Sequence, residues 1–382
     1  MRTPLDHEVA DRIRRRGPIP FAEVMDLALY EPERGFYAAG GAAGRRGDFI
    51  TSAEVGPLFG ALVGRALDET WRALDDPDPF VVIEVGAGVG TLARTVLAGR
   101  PACTPALTYV MVERSAALRA RHGEHLPLVE PIAALEADGD GPRVVSLAEL
   151  PAGPLIGVVV ANELLDNLAV ALVERRDGAW HEVRVALDDD EAVLVEQLVP
   201  ASDDLAALAD AAIAGADGVH DGVLDGIGAV PDGARLPLAL AARAWVADVR
   251  TVVERGRIIL FDYGDDSAAL AARPVDEWLR TYRAHERGGP PLADLGTQDV
   301  TCEVPWDQVA APFGASARRV GQAEWLRALG IDELVAQGKA VWHERAHLGD
   351  LESLKARSRV READALLDPA GLGAFTVLDI TI

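Results

Sequence analysis

The stretch FVVIEVGAGVGTLARTVL, Phe80 to Leu97, decides the fold. Apolar residues surround Glu84 in a run too short for a helix and closed by glycine, the pattern of a buried strand. Gly86, Gly88 and Gly90 then alternate, and a helical spacing of apolar residues follows. Glycines after a strand permit a tight turn and let the backbone approach a ligand closely. A dinucleotide site has G-x-G-x-x-G, with pyrophosphate at the helix N-terminus. Here the spacing is G-x-G-x-G, and Thr91 stands where the third glycine of that fingerprint belongs. No Gly-Lys-Ser/Thr follows, which excludes a P-loop.

Outward from this turn, apolar runs and helical patterns alternate. LTYVMVE reads as a strand with a helix from Ser115, RVVSL as a short strand, and PLIGVVVANELL as a buried strand running into a helix. Such βαβαβ alternation implies parallel strands covered on both faces. AVALVERRDGAWHEVRVAL shows two period-2 stretches around RDGA and predicts a β-hairpin. RIILFDYG is another buried strand after a helix at about 237–254, and ASARRVGQAEWLRALGI gives a short strand plus helix. Ahead of the core lie helices at 5–16 and 20–30, a glycine-rich stretch, and a helix opened by Pro57. The expected architecture is α/β: a Rossmann-like sheet with an N-terminal helical and Gly-rich cap and a hairpin/helical insertion. The boundaries expected are 1–78 for the cap and 79–345 for the core, with its insertion at about 169–235. A helical tail and strand occupy 346–382.

Composition narrows the class. Of 382 residues, 49% are hydrophobic, enough for a large core, and the net charge of −24 argues against a nucleic-acid surface. Two cysteines, Cys103 and Cys302, allow neither a disulfide framework nor a Cys-rich zinc site. The histidines form no metal set, and WHERAH lacks the glutamate placement of H-E-x-x-H. No apolar run has the length of a membrane span. Asp6, Glu8 and Asp11 interrupt any transit-peptide pattern around Arg14, Arg15 and Arg16, so a cytoplasmic protein is expected.

The acids around the turn point to the ligand. Glu84, just ahead of Gly86, repels pyrophosphate but suits a cation. S-adenosylmethionine carries an ammonium and a sulfonium and no phosphate. Glu113 closes the next strand, where an acidic side chain grips a ribose diol. In an open parallel sheet the ligand sits beyond the carboxyl ends of the strands. Those ends present Asn162, Glu163 and Asp166 on one strand and Asp262 with Tyr263 on another. The alternative is that Asp166 caps a helix and Glu163 is a solvated first-turn acid.

With these residues in place, the chain resembles the MidA-like methyltransferases, whose members include a mitochondrial complex I assembly factor that methylates a protein arginine. The resemblance runs through GFYAAGGAAGRRGDFITSAEVGPLFGALVG, EVGAGVGTLAR, ANELLDNLAV, FDYGDDSAA, LRTYRAHE and QAEWLRALGI. It implies S-adenosylmethionine as cofactor and places Gly47, Asp48, Thr51, Ser52 and Glu54 against it, beside Glu84, Gly86, Gly88, Gly90, Glu113 and Asn162. Ser146 stands where the family often has an acid facing the adenine. Asn162, Leu164, Leu165 and Ala169 replace the usual His, two Phe and Pro, while Glu163, Asp166 and Leu168 are kept. The implied activity is methylation of a protein arginine, with Glu163 and Asp166 holding the guanidinium and Asp262 orienting them or the substrate. A small-molecule O- or N-methyltransferase, or a cofactor-binding assembly chaperone, are the rival readings.

Overall fold

The protein is described from a computed structural model over residues 3–38, 51–131, 140–190, 193–214, 230–284 and 286–382. Its central sheet has seven strands: β1 Phe80–Val85, β2 Leu107–Val112, β3 Arg143–Leu147, β4 Leu155–Asn162, β5 Val253–Asp262, β6 Ala317–Gly321 and β7 Thr376–Thr381. The spatial order is β3-β2-β1-β4-β5-β7-β6. β1 to β5 pair in parallel, and β7 runs antiparallel between β5 and β6. The final strand, from the end of the chain, therefore lies inside this sheet.

Period-2 alternation explains why β1 is apolar but for Glu84. Phe80 and Val82 face a core that the helix Pro57–Ala73 covers with Phe59, Leu62 and Ala66. Val81, Ile83 and Val85 face the opposite core, covered by the helix Leu240–Val252 through Ala242, Val246 and Val249. A strand buried on both faces has no polar side to show. Each fully buried aliphatic side chain contributes about 1.5–3 kcal/mol, so these two layers dominate the stability. On the first face Phe261 packs edge-on against Phe59 and Trp325, with centroids 5.2 and 5.0 Å apart.

A second, antiparallel sheet holds the predicted hairpin, Ala171–Arg176 with Ala179–Leu187, extended by Ile19–Pro20, Leu194–Pro200 and Arg235–Leu238. The helices Pro4–Arg16 and Phe21–Tyr30 pack on it through Leu5, Val9, Val24 and Met25.

The chain direction reverses between β1 and β4, since β2 and β3 build outward on one side and β5 on the other. Ligands of open α/β sheets bind at this switch point. The glycine turn leaves β1 there and Glu163 leaves β4 there.

One expectation fails at this point. The residues after β4 do not form a helix; they make a single 3-10 turn, Leu165–Asn167. Glu163 sits in left-handed backbone, φ 53°, and its N–H donates to the Phe261 carbonyl at 2.8 Å. The neighbouring strand thus turns the chain aside before a helical hydrogen bond can form.

Candidate functional site

The turn after β1 takes left-handed backbone at Gly86, Gly88 and Gly90, with φ 73°, 56° and 83°. Side chains there are strained by about 1–2 kcal/mol, which accounts for the alternating glycines. Gly86 and Gly90 are also closed in by packing: a Cβ would lie 3.0 Å from Leu164 Cδ1 or 3.1 Å from Met111 Sδ. At Gly88 a Cβ meets nothing within 4 Å among the described residues. Gly88 also borders a cavity of about 810 Å³, together with Glu84, Glu113, Asn162, Glu163 and Tyr37. The volume lies in the range that accommodates cofactor-sized ligands.

Glu113 grips the turn from below. Its Oε2 accepts the Gly88 N–H at 2.9 Å and its Oε1 the Ser115 N–H at 2.7 Å. Burial pushes its carboxyl up from the ordinary range, against the pull of those two backbone donors and of Arg119. Glu84 accepts the Tyr109 hydroxyl at 2.7 Å, and burial raises its carboxyl to about 7. A cation beside Glu84 favours its ionised form.

The segment around Thr51 reaches the same cavity. Thr51 and Glu54 line it, and Glu54 accepts the Thr91 hydroxyl at 2.7 Å. Ser52 donates its N–H to Glu163 Oε1 at 2.9 Å and its hydroxyl to Gln322 at 3.2 Å. Thr51 occupies the position before the short helix Ser52–Val55 without making a side-chain cap. Gly47 and Asp48 lie outside the described residues.

Asn162 donates through Nδ2 to Glu163 Oε1 at 3.1 Å, which fixes its amide orientation. Its Oδ1 is then buried without a partner among the described residues. Glu163 borders the cavity, and burial, with Asp166 nearby, drives its carboxyl up to about 8.

Three sequence assignments need correction. Asp262 does not touch the cavity: it is fully buried, with Oδ2 accepting the Leu165 and Asp166 N–H groups and Oδ1 the Tyr263 N–H. Its work is to hold the turn that carries Glu163. Asp166 stands behind the wall too, accepting the Tyr263 hydroxyl at 2.7 Å. Ser146 is spent on His122 Nδ1 at 2.8 Å, and Ala148 and Glu149 come to the cavity wall instead.

Other cavity residues were not found from sequence. Tyr30 and Tyr37 stack at 5.4 Å between centroids, and the Tyr37 hydroxyl donates to Asn167 Oδ1 at 2.8 Å. They arrive from the N-terminal helical segment, and no spacing ties them to the glycine turn.

The residues present fit S-adenosylmethionine. Gly88 leaves open the space a Cβ would fill, Asn162 offers an orphan acceptor, Glu84 and Glu113 supply negative charge, and Arg114, the basic residue among the described residues of the wall, is paired with Asp26. Glu113→Ala is expected to weaken S-adenosyl-homocysteine binding by about 1.5–3 kcal/mol, because a charge-assisted acceptor is lost and the Gly88 N–H is released. Calorimetry measures it; unchanged affinity moves the ribose contact to another residue.

Residues 62–321 match the family described as "Putative S-adenosyl-L-methionine-dependent methyltransferase". Among curated relatives, the human mitochondrial protein arginine methyltransferase NDUFAF7 is 26% identical over 352 residues, covering 86% of this chain and 74% of that protein. The Drosophila melanogaster homolog is 35% identical over 196 residues, covering 47% of this chain and 44% of its own length. A crystal structure of a COG1565 superfamily member from Burkholderia thailandensis, bound to S-adenosyl-homocysteine, superposes with a TM-score of 0.78 at 28% identity. It spans 99% of this chain and 92% of that one. The cytoplasmic expectation does not survive: the curated relatives are named as mitochondrial proteins. With fold, turn and cavity agreeing with these matches, the chain belongs to the S-adenosylmethionine-dependent methyltransferase family.

Proposed function

We propose that the protein transfers the methyl group to the guanidinium of an arginine in a protein substrate. The observation that carries this reading is Glu163. One carboxylate oxygen is fixed by Ser52 and Asn162, and Oε2 has no partner among the described residues. That leaves an anchored acceptor at the switch point, where a guanidinium can dock.

The charge of the cavity supports a cationic acceptor. Glu54, Glu84, Glu113, Glu149, Glu163 and Asp248 border it, against Arg114, which is paired with Asp26 at 2.9 Å. The aromatic wall supports it as well. Arg114 already lies over the Tyr30 ring at 4.5 Å, so this wall accommodates a stacked guanidinium. The names of the curated relatives point the same way.

When bound, S-adenosylmethionine supplies a methyl group on a sulfonium, open to in-line displacement. The chain's part is positioning, which provides much of the rate in such a transfer. Glu163 holds the guanidinium charge on one side, leaving the opposite nitrogen to attack. Asp262 keeps Glu163 in place by capping the turn, and Asp166 with Tyr263 locks the same turn from behind. The departing proton goes to a carboxylate or to water at the cavity mouth.

The test is incubation of purified protein with radiolabelled cofactor and cell lysate, followed by separation of protein from small molecules and hydrolysis of the protein fraction. Label in methylarginine supports the proposal. Label confined to small molecules favours an O- or N-methyltransferase, and no transfer to either pool favours an assembly chaperone.

A further inference from the structure

His122 is the most buried histidine-centred contact of the site, and neither the motifs nor the family match assigns it a task. It is 0% exposed, in the turn His122–Glu124 beneath the glycine loop. Its Nε2 lies 2.9 Å from the Gly88 carbonyl and its Nδ1 2.8 Å from Ser146 Oγ. A carbonyl only accepts, so Nε2 carries the hydrogen. Burial lowers the ring's basicity against the pull of the Gly88 carbonyl, and nearby Arg119 lowers it further, so the neutral ring is favoured. Nδ1 then accepts from the Ser146 hydroxyl. Ser146 thereby fixes the tautomer that Gly88 requires.

The consequence falls on Gly88. Its two soft dihedrals belong to the residue with the greatest backbone freedom. The peptide before it is held by Glu113 through the Gly88 N–H, and the peptide after it is held by His122 through the Gly88 carbonyl. Both planes flanking the Cα are pinned. A trans peptide points its N–H opposite to its carbonyl. The Val89 N–H is therefore directed away from His122, and it has no partner among the described residues.

We propose that His122, set by Ser146, is a positioning residue for cofactor binding: it clamps the Gly88 carbonyl and so presents the backbone of the glycine turn, including the Val89 N–H, to the cofactor. The proposal rests on placing the cofactor at this turn.

The test is calorimetric titration of S-adenosyl-homocysteine into the full chain as wild type, His122→Leu, His122→Gln and Ser146→Ala, with melting temperatures recorded alongside. His122→Leu orphans the Gly88 carbonyl and should raise Kd by about ten- to a hundredfold. Glutamine carries an N–H donor that can reach the same carbonyl, so His122→Gln should remain within about threefold of wild type. Ser146→Ala frees the tautomer and should fall between, at about three- to tenfold. A folded His122→Leu with wild-type affinity overturns the proposal, as does a glutamine variant no better than leucine. If His122→Leu does not fold, unchanged affinity in Ser146→Ala overturns it. Wild-type protein that binds no S-adenosyl-homocysteine overturns the placing of the cofactor at the turn, and the role of His122 with it.

Discussion

Replacing Glu163 with glutamine is expected to cut methyl transfer by two orders of magnitude or more while leaving S-adenosyl-homocysteine affinity nearly intact. That loss corresponds to about 2.7 kcal/mol of barrier. The amide keeps the shape of the side chain. Its oxygen can still accept from Ser52 and Asn162, which hold Oε1 in the native protein. The –NH₂ then takes the place of Oε2 and turns a donor toward a guanidinium that has only donors to offer. The deficit is therefore electrostatic and belongs to the acceptor. A variant whose turnover on the true acceptor is unchanged removes Glu163 from the mechanism.

The same residue gives the reaction a pH signature. Burial lifts the Glu163 carboxyl to about 8, whereas an arginine acceptor stays charged throughout. Only the carboxylate binds the cation well. The rate at subsaturating acceptor should therefore rise through a midpoint near 8 and level off about one unit above it. A sulfonium nearby shifts the midpoint downward, never upward. Glu163→Gln should flatten this limb. An acceptor that must itself lose a proton would continue the rise past that plateau.

What the sequence disclosed follows from what local patterns encode. The strands β1, β2 and β4 and the second half of β5 are largely apolar runs closed by glycine or a polar residue, the composition that burial on both faces favours. The glycine turn and Glu113 were legible for a similar reason: adjacent backbone and ligand demands fall on adjacent residues. The segment after β4 misled because Leu164, Leu165 and Leu168 carry a helical spacing. Its outcome is decided by Asp262, 97 residues away from Leu165, which takes two backbone N–H groups that a helix would leave to a local cap. Ser146 misled likewise. Its partner His122 comes from another connection, and a hydroxyl's direction is set by whichever neighbour the fold supplies. FTVLDITI read correctly as a strand, but only pairing across the sheet places it between β5 and β6. Tyr30 lies in no motif and Tyr37 only opens the glycine-rich stretch GFYAAGG, so the packing of the N-terminal helices is what brings them to the cavity.

Gly88→Val is expected to abolish measurable cofactor binding, raising Kd at least a hundredfold, in a protein that still folds. The added side chain has room: a Cβ at Gly88 meets no atom of the described residues within 4 Å. The room it takes is the cavity the cofactor needs. Backbone strain complicates the experiment, since φ at Gly88 is 56° and a β-branched residue there costs stability of about 1–2 kcal/mol. Gly178 provides the control. It lies in the hairpin turn of the second sheet, with φ 72° and likewise nothing within 4 Å of where a Cβ would stand, yet it does not border the cavity. Gly178→Val therefore incurs similar strain without obstructing the ligand. Matched melting temperatures for the two variants, with binding lost only in Gly88→Val, separate exclusion of the ligand from strain. Unfolding of Gly88→Val alone would mean that the glycine serves packing between strand and helix. Normal binding by folded Gly88→Val would remove the cofactor from close contact with the Gly88 backbone.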